Sequence, residues 1–311
     1  MEYSVIVTKQ VIIMFVLIAV GIIACRKNIL SLNATRGLSD FILVIVSPCL
    51  LITAFNRKLN NEELKGLLLA FILSIIFHII AIILGGILVK KRENSDYRVE
   101  RMGCVYSNCG FMAFPLLSAI LGDIGVFYGA VYVALFNIFL WSGGVVTLTS
   151  WNEMDKKKII LNPGMIGVIL GLLLYFTQFK LPVLINTPIT YLASLNTPLS
   201  MIMIGVFLAR VDIKKMIKNI NIYKISFIRL LLLPLILFVL IKGTGLVNIF
   251  NGAVESITAV LICCACPAAV SIILMVSKRN LNDEYGAEIL AMSTLISIIS
   301  LPLITMLATK L

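Results

Sequence analysis

The sequence predicts an all-α integral membrane protein of ten transmembrane helices, arranged as two five-helix repeats that are inverted relative to each other. Three observations lead to this fold class: an apolar composition, ten separate apolar runs, and prolines that recur at matching places in the two halves. Of the 311 residues, 60% are hydrophobic and only 13% are charged. A soluble domain of this composition would expose contiguous apolar surface and aggregate, whereas a bilayer accommodates such a surface.

Apolar runs with polar or charged boundaries place the spans, because about 20 apolar residues suffice to cross the hydrocarbon core. The polar segment 151–158 (WNEMDKKK) divides the runs five and five. We therefore expect a first repeat over 1–150, a cytoplasmic linker over 151–160 and a second repeat over 161–311. The predicted spans lie near residues 8–25, 38–55, 66–89, 102–121, 125–149, 161–178, 190–209, 221–241, 253–276 and 285–308.

Charges in the loops predict the orientation of the chain. With the N-terminus outside, the cytoplasmic loops carry 18 Lys and Arg residues against seven on the opposite side, and Arg229 lies within a span. Because positively charged loops stay in the cytoplasm, we expect a multi-pass protein of the cytoplasmic membrane with both termini extracytoplasmic. The first span lacks the small-residue cleavage pattern of a signal peptide and is expected to be retained.

Matching residues in the two halves indicate an internal duplication. Each half has an odd number of spans, so the second half enters the membrane upside down, and inverted repeats of this kind are typical of secondary transporters. The matches in register are Pro48 with Pro198, 150 positions apart, Pro115 with Pro267, 152 apart, and the tripeptide YGA at 128–130 with that at 285–287, 157 apart.

The prolines of spans 4 and 9 predict two discontinuous helices that meet near the bilayer midplane. A proline inside a helix frees the carbonyl four residues earlier, which is Phe111 for Pro115 and Cys263 for Pro267. Such groups must be satisfied by protein, water or a ligand. Helix ends at this depth can hold an anion, and loosened carbonyls can hold a cation. The alternative is a pair of purely structural kinks.

Polar residues beside the prolines are the candidate substrate ligands. Asn108 offers donor and acceptor groups, and Gly110 permits an unusual backbone angle or a close approach. Asn196, just before Pro198, extends the candidate site to span 7. Asn137 in span 5 is a weaker candidate, because an intramembrane asparagine also serves as a link between helices.

Ionisable residues within the spans are functional candidates by default. His78 is the sole histidine, and a buried structural role is the favoured interpretation. Arg229 can reach toward the cytoplasmic face or contact an anion. Glu255 and Glu288 are expected to be interfacial carboxylates, with coupling of transport to an ion as the alternative.

Other functions find little support in the sequence. Cys264 and Cys266 could hold a soft metal ion, but no matching His or Met cluster accompanies them, so we expect no metal site and no cofactor. The motifs of metalloproteases, serine hydrolases and P-loop nucleotidases are missing, which argues against an enzyme. The basic residues lie in short loops rather than on a soluble basic face, so we expect no nucleic-acid partner.

The residues of span 4 resemble a known family. The stretch NCGFMAFPLL at 108–117 is similar to the fourth-helix motif of the auxin efflux carrier family, which has bacterial permeases among its members. The stretches 267–270 (PAAV) and 293–295 (STL), followed by Pro302, resemble the last two helices of that family. The likeness extends over essentially the whole chain.

This resemblance implies a ten-helix fold with a scaffold domain and a transport domain, in which broken helices 4 and 9 cross at Pro115 and Pro267. It implies a small organic anion as substrate, either a dicarboxylate or an auxin-like carboxylate, moved by alternating access. Asn108 and the freed backbone groups would bind the anion. A sodium-coupled symporter of the bile-acid-transporter type and a non-transporting receptor or structural component stay open as alternatives, as does a homodimer.

Overall fold

The computed structural model describes residues 2–92 and 95–311, and in them the chain is helical apart from turns and one isolated two-residue bridge. The helices of the first half are α1 (Glu2–Arg26), α2 (Leu32–Phe41, Ile42–Val46 and Ser47–Phe55), α3 (Asn61–Leu88), α4 (Tyr97–Val105, then Cys109–Ala113 and Phe114–Leu121) and α5 (Asp123–Phe139, Leu140–Gly144 and Val145–Leu148). The longer helices of the second half are α6 (Pro163–Thr177), α7 (Val183–Ser194 and Asn196–Leu208), α8 (Ile220–Phe227, Ile228–Leu232 and Leu233–Thr244), α9 (Ala253–Ala265, then Val270–Ser277) and α10 (Asp283–Ala308).

The lengths and apolar composition of these helices are consistent with an integral membrane protein. In the described residues, seven helices are long and apolar enough to cross a membrane. Three further apolar helices are shorter: Cys109–Leu121, Pro163–Thr177 and Ala253–Ala265. Fifteen residues of α6 span about 22 Å at 1.5 Å per residue, less than the usual hydrocarbon thickness. Ten crossings, their inverted relation and the division into 1–150, 151–160 and 161–311 stay predictions.

Asparagine side chains fix where several helices begin. The Asn60 Oδ1 accepts a hydrogen bond from the Glu62 N–H at 2.9 Å, and the Asn162 Oδ1 accepts one from the Met165 N–H at 2.9 Å. The Asn282 side chain does the same for the Tyr285 N–H at 3.0 Å. These contacts satisfy backbone donors that have no partner within their own helix, which is why the polar boundaries in the sequence coincide with helix starts.

Three prolines follow a wide helical turn instead of breaking their helix. Pro48, Pro115 and Pro234 each occupy the second position of a helical segment that comes directly after five π-helical residues. The π-helical residues are 42–46, 109–113 and 228–232. A π turn adds a residue to the backbone spiral and makes room for the proline ring and its missing donor. The helix axis therefore continues through all three prolines.

The closest helix packing in the described chain joins α1 to the second segment of α7. A stripe of α1 residues at helical spacing, among them Val11, Met14 and Ile18, is almost fully buried. At the contact, Gly21 lies against the backbone of Ile202, and Gly205 lies against the Ile18 carbonyl. Small residues permit this approach because no Cβ separates the two backbones. α7 in turn packs on α2, and α2 on α6, which forms one group of helices.

The remaining helices form a second group around α9. The first segment of α9 packs against α3, α5 and α10, and α3 packs against α5. A hydrogen bond of 2.6 Å from the Ser256 hydroxyl to the Gly66 carbonyl joins α9 to α3. α4 and α8 complete this group, and α1 contacts it through α10 and the end of α4.

Replacing Gly205 by alanine should destabilise the protein, because the new Cβ would collide with the backbone carbonyl of Ile18 on α1. Overpacking of this kind costs about 1–3 kcal/mol. We expect a lower melting temperature for Gly205→Ala in detergent. Gly86→Ala is the matched control, since no atom lies within 4 Å of its added Cβ. Equal stability of the two variants would contradict the close contact between α1 and α7.

Candidate functional site at the crossing of two broken helices

α4 and α9 are each interrupted by a short extended stretch, and the two stretches cross. The Asn108 N–H donates to the Pro267 carbonyl at 2.7 Å, and the Ala269 N–H donates to the Tyr106 carbonyl at 3.0 Å. Ser107 and Ala268 thereby form an antiparallel bridge. Each interruption supplies partners for the backbone of the other, which makes non-helical chain tolerable in an apolar interior. We refer to residues 106–108 and 266–269 as the crossing.

The resemblance implied that α4 is interrupted at Pro115, and this expectation is wrong. The chain leaves the helix after Val105 and re-enters it at Cys109, so Pro115 lies seven residues beyond Asn108. The π turn before Pro115 absorbs the effect of the missing donor. Pro267, in contrast, lies within the interruption of α9, between Cys266 and Ala268. Only one of the two prolines therefore marks a break.

The buried side chain of Arg229 joins the helical segments that precede the crossing. We call these segments, Tyr97–Val105 and Ala253–Ala265, the first arms of α4 and α9, and the segments after the crossing the second arms. Its Nη1 donates to the carbonyls of Cys104, at 3.2 Å, and Val105, at 2.8 Å, and its Nη2 donates to the Cys264 carbonyl. These carbonyls end Tyr97–Val105 and Ala253–Ala265, where helices carry partial negative charge. The guanidinium is fully buried and lies 5.3 Å from the ring centroid of Phe77. One cation thus caps two helix C-termini.

The second arms begin at the crossing and present their N-termini there. Cys109–Leu121 starts directly after Asn108, and Val270–Ser277 starts directly after Ala269. The first N–H groups of a helix have no partner within it and carry partial positive charge. A nearby backbone donor, the Ala268 N–H, is held by the Ser293 Oγ of α10 at 3.1 Å. The crossing therefore has negative helix ends on Arg229 and positive helix ends beside it.

A cavity of about 710 Å³ reaches from the crossing to the chain between α5 and α6. Asn108 lines it and is only 4% exposed, and in the described chain its Nδ2 has no hydrogen-bond partner. Volumes of this order are typical of small-molecule sites. The other lining residues near the crossing are Ser107, Gly110, Phe111, Phe114, Ala269 and Ser271. The mouth includes Asp40, Glu153, Asp155, Lys158, Lys278 and Arg279.

A second cavity, of about 640 Å³, lies beyond Phe114 toward the other end of α2. The first cavity contacts α2 from Asp40 to Leu51, whereas the second contacts it from Leu50 to Ala54 and continues to Asn56 and Arg57, just beyond its end. Phe114 lines both cavities and is itself almost fully buried. Two cavities that open at opposite ends of the helices thus meet at the second arm of α4.

Asn196 connects the two groups of helices between these cavities. Its Nδ2 donates to the Gly110 carbonyl at 3.1 Å, which joins α7 to the second arm of α4. Asn196 is 1% exposed, and its Oδ1 lacks a hydrogen-bond partner among the described residues. The carbonyl that the sequence predicted to be loosened near Pro115 was that of Phe111. The Asn196 side chain instead binds the carbonyl of Gly110, the residue before Phe111.

Of the predicted substrate ligands, Asn108, Gly110 and Phe111 come together along the larger cavity. Pro115 and Asn196 line the second cavity instead. The remaining candidates lie apart from both. Pro198 is in the first turn of the second segment of α7, Cys263 is buried in the first arm of α9, and Pro267 lies within the crossing.

His78 and Asn137 each contact a backbone carbonyl of their own helix. The His78 Nδ1 lies 2.7 Å from the Ser74 carbonyl, and its ring stacks on Phe139 at 4.9 Å. The Asn137 Nδ2 donates to the Val133 carbonyl at 3.0 Å, although its side chain also lines the larger cavity. These contacts fit structural roles, and neither cavity is lined by His78.

The two glutamates differ in burial. Glu255 is exposed in the first turn of α9. Glu288 is buried on α10, with one carboxylate oxygen 3.4 Å from the Lys215 Nζ. Neither residue lines either of the two cavities described above. Both positions agree with carboxylates near the ends of spans, and a coupling role for either stays a prediction.

The sequence analysis did not predict the contacts by which Arg229 and Ser293 support the crossing. Arg229 stood out as an intramembrane charge, but its carbonyl partners lie more than a hundred residues away on α4 and 35 residues away on α9. Ser293 gave no signal beyond being a hydroxyl in an apolar helix. The thiols of Cys264 and Cys266 donate to the carbonyls of Leu261 and Ile262 in the first arm of α9, and the described residues hold no cluster of metal-ligating side chains.

Comparison with known proteins gives matches along nearly the full chain. A family model described as "Membrane transport protein" matches residues 6–305. An uncharacterized transporter of Methanothermobacter thermautotrophicus is 24% identical over 305 residues, which cover 95% of this chain and 96% of that protein. Uncharacterized transporter MJ1031 of Methanocaldococcus jannaschii is 24% identical over 216 residues, covering 64% of this chain and 68% of that protein.

Replacing Ser293 by alanine should destabilise the crossing. The change removes the acceptor of the Ala268 N–H and leaves this buried donor unsatisfied, at a cost of about 1–3 kcal/mol. We expect a clear drop in melting temperature. Ser142→Ala is the matched control, because the Ser142 hydroxyl bonds only to carbonyls of its own helix α5. Indistinguishable melting temperatures would show that Ser293 does not support the crossing.

Proposed function

The chain belongs to the membrane transport protein family, and on this premise we propose that it is a secondary transporter that moves a small organic anion by alternating access. This is the family that the span-4 motif resembles, so that resemblance is confirmed. Membership and the transporter names of its relatives indicate a multi-pass membrane transporter and not an enzyme. Beyond family membership, we propose that the substrate is an anion, that it moves by alternating access, and that the residues at the crossing bind it.

The observation that carries the proposal is the unpartnered amide nitrogen of Asn108. It is buried at the crossing, it borders the larger cavity, and it is followed directly by the N-terminus of a helix. A buried donor without an acceptor is costly unless a ligand provides one. A carboxylate supplies acceptors only, and a helix N-terminus favours negative charge. Asn108 and the second arms of α4 and α9 therefore suit an anion.

Charges at the cavity mouth do not select the anion. Three basic side chains, Lys158, Lys278 and Arg279, are matched there by three acidic ones, Asp40, Glu153 and Asp155. We therefore assign the preference for an anion to the groups at the crossing. The walls between mouth and crossing carry Phe111, Phe114, Phe136 and Trp141. Such walls suit an anion that has an apolar body as well as a carboxylate.

The two cavities support alternating access. Each contacts Phe114, and the bond from Asn196 to the Gly110 carbonyl lies between the two groups of helices. Sliding of the group around α9 against the group formed by α1, α2, α6 and α7 would exchange which cavity reaches the crossing. On the topology that the loop charges predict, the larger cavity faces the cytoplasm.

Asn108→Ala should reduce anion uptake to background without preventing folding. The change removes the donor proposed to bind the carboxylate while leaving the backbone hydrogen bond of residue 108 to Pro267 in place. Loss of one hydrogen bond to a charged group weakens binding by about 1.5–3 kcal/mol. The measurement is uptake of radiolabelled malate, malonate and indole-3-acetate into liposomes that contain the purified protein.

Asn248→Ala serves as the matched control, since Asn248 is exposed in the short helix Leu246–Asn248. Its uptake should equal that of the unaltered protein. Unimpaired uptake by folded Asn108→Ala would remove this side chain from the site. Saturable binding without entry into the liposome would instead favour the receptor alternative.

A further inference from the structure

We infer that the Arg229 guanidinium permanently occupies the place of a coupling cation at the crossing, so that the anion site works without co-transported sodium. The inference rests on the proposed transport of an anion and specifies how that site is charged. Arg229 acts here as a positioning residue, because its contacts are with the backbone and not with the cavity.

The carbonyls that Arg229 occupies have the character of a cation site. Three carbonyl oxygens, from Cys104, Val105 and Cys264, converge on one buried group from two separate helices. In transporters with broken helices, loosened carbonyls and helix C-termini of this kind coordinate sodium or receive a proton. A sodium ion that used these oxygens would have to displace a guanidinium that is covalently part of the chain.

No carboxylate neutralises Arg229 within the described residues, where every ion pair involves another basic side chain. Its positive charge is balanced only by the partial charges of the helix ends and by the ring of Phe77 at 5.3 Å. Burial of an unpaired cation is expensive, so the carbonyl contacts have to hold it in place. The interior beside the crossing consequently keeps a fixed positive charge.

This charge complements the geometry of the second arms. Arg229 binds the residues that end the first arms, and Asn108 and Ala269 stand at the start of the second arms a few residues later. Positive helix ends and a fixed cation on the same crossing both favour negative charge in the adjoining cavity. In a sodium-coupled carrier the positive charge at this place would come from the bound sodium ion, and it would be lost when the ion dissociates.

The first test compares sodium with choline at equal ionic strength. Uptake and binding of the transported anion should change less than about twofold when choline replaces sodium, because the crossing already holds its cation. The melting temperature of the unaltered protein, measured without any carboxylate substrate and with the same counter-anion throughout, should also be the same in both salts. Sodium-specific stabilisation, or a tenfold loss of uptake in choline, would overturn the inference.

The second test separates charge from shape at position 229. Arg229→Lys keeps the positive charge without the guanidinium shape, whereas Arg229→Gln removes the charge and, because its side chain is shorter, leaves the carbonyls largely vacant. We expect the anion affinity to fall about tenfold in the Gln variant and less than about threefold in the Lys variant, in line with the strength of charges near helix ends. Equal losses in both variants, or an unchanged affinity in folded Arg229→Gln, would contradict the role of the charge.

A third measurement needs no substrate and stays decisive if none of the tested anions binds. Methylguanidinium at millimolar concentration should raise the melting temperature of Arg229→Gln and leave that of the unaltered protein unchanged, since a free cation can then fill the vacated carbonyls. Arg101→Gln is the matched control: Arg101 donates to the carbonyls of Val89, at 2.9 Å, and Gly86, at 3.2 Å, at the end of α3.

The outcomes separate the two proposals. Anion binding that fails in the unaltered protein contradicts the proposed substrate class, while the salt and methylguanidinium melts still decide the role of Arg229. Absence of rescue in Arg229→Gln, or equal rescue in Arg101→Gln, overturns the assignment of a cation place at the crossing. Should the Gln variant fail to fold, a Lys variant that loses the anion affinity tenfold or more overturns it as well.

Discussion

Two interrupted helices in an apolar interior must satisfy the backbone groups that they expose, and the rest of this structure follows from that constraint. The crossing meets it with two kinds of partner. The stretches 106–108 and 266–269 bond to each other, and Arg229 binds the carbonyls that end both first arms. Ser293 holds one donor more. With these partners in place, irregular chain can persist in the interior next to a cavity.

The same contacts divide the charge of the crossing into two sides. On one side the carbonyl ends of the first arms hold the Arg229 cation, and on the other side the N-termini of the second arms face the cavity. A site of this design recognises its ligand by dipoles fixed in the backbone, and at the crossing Asn108 adds a side-chain donor that has no partner among the described residues. Substitutions of cavity walls should therefore alter which anion is preferred more readily than whether an anion is preferred.

Sequence patterns predicted the helical segments well, because long apolar runs with polar ends allow little else in a bilayer. They also placed Asn108 and Gly110 beside the candidate site, since polar groups inside an apolar run require a reason. The predicted break at Pro115 was wrong, because the effect of a proline on a helix depends on the turns around it. A π turn of five residues accommodates it, and nothing in the residue itself distinguishes it from Pro267, which does lie in a break.

Arg229 shows a different limit. Its partners are backbone carbonyls, which every residue possesses, so no residue type on α4 or α9 announces the contact. An intramembrane arginine without a carboxylate nearby in sequence indicates that carbonyls must be its partners, but the choice of carbonyls depends on how α8 packs between the first arms. Contacts of this kind emerge only from the tertiary arrangement.

The wide turns in α2, α4, α5 and α8 have a consequence for how these helices meet their neighbours. An extra residue in one turn rotates every later side chain by roughly 100° about the helix axis relative to a regular helix. A single straight rod thereby shows one stripe of its surface before the turn and a different stripe after it. In α2, Ile42 and Val46 are buried on one side of Pro48, and Leu51 and Phe55 on the other. Each such helix can keep two sets of neighbours along one axis, and a register of matching positions between homologous sequences should shift by one residue wherever the wide turn is lost.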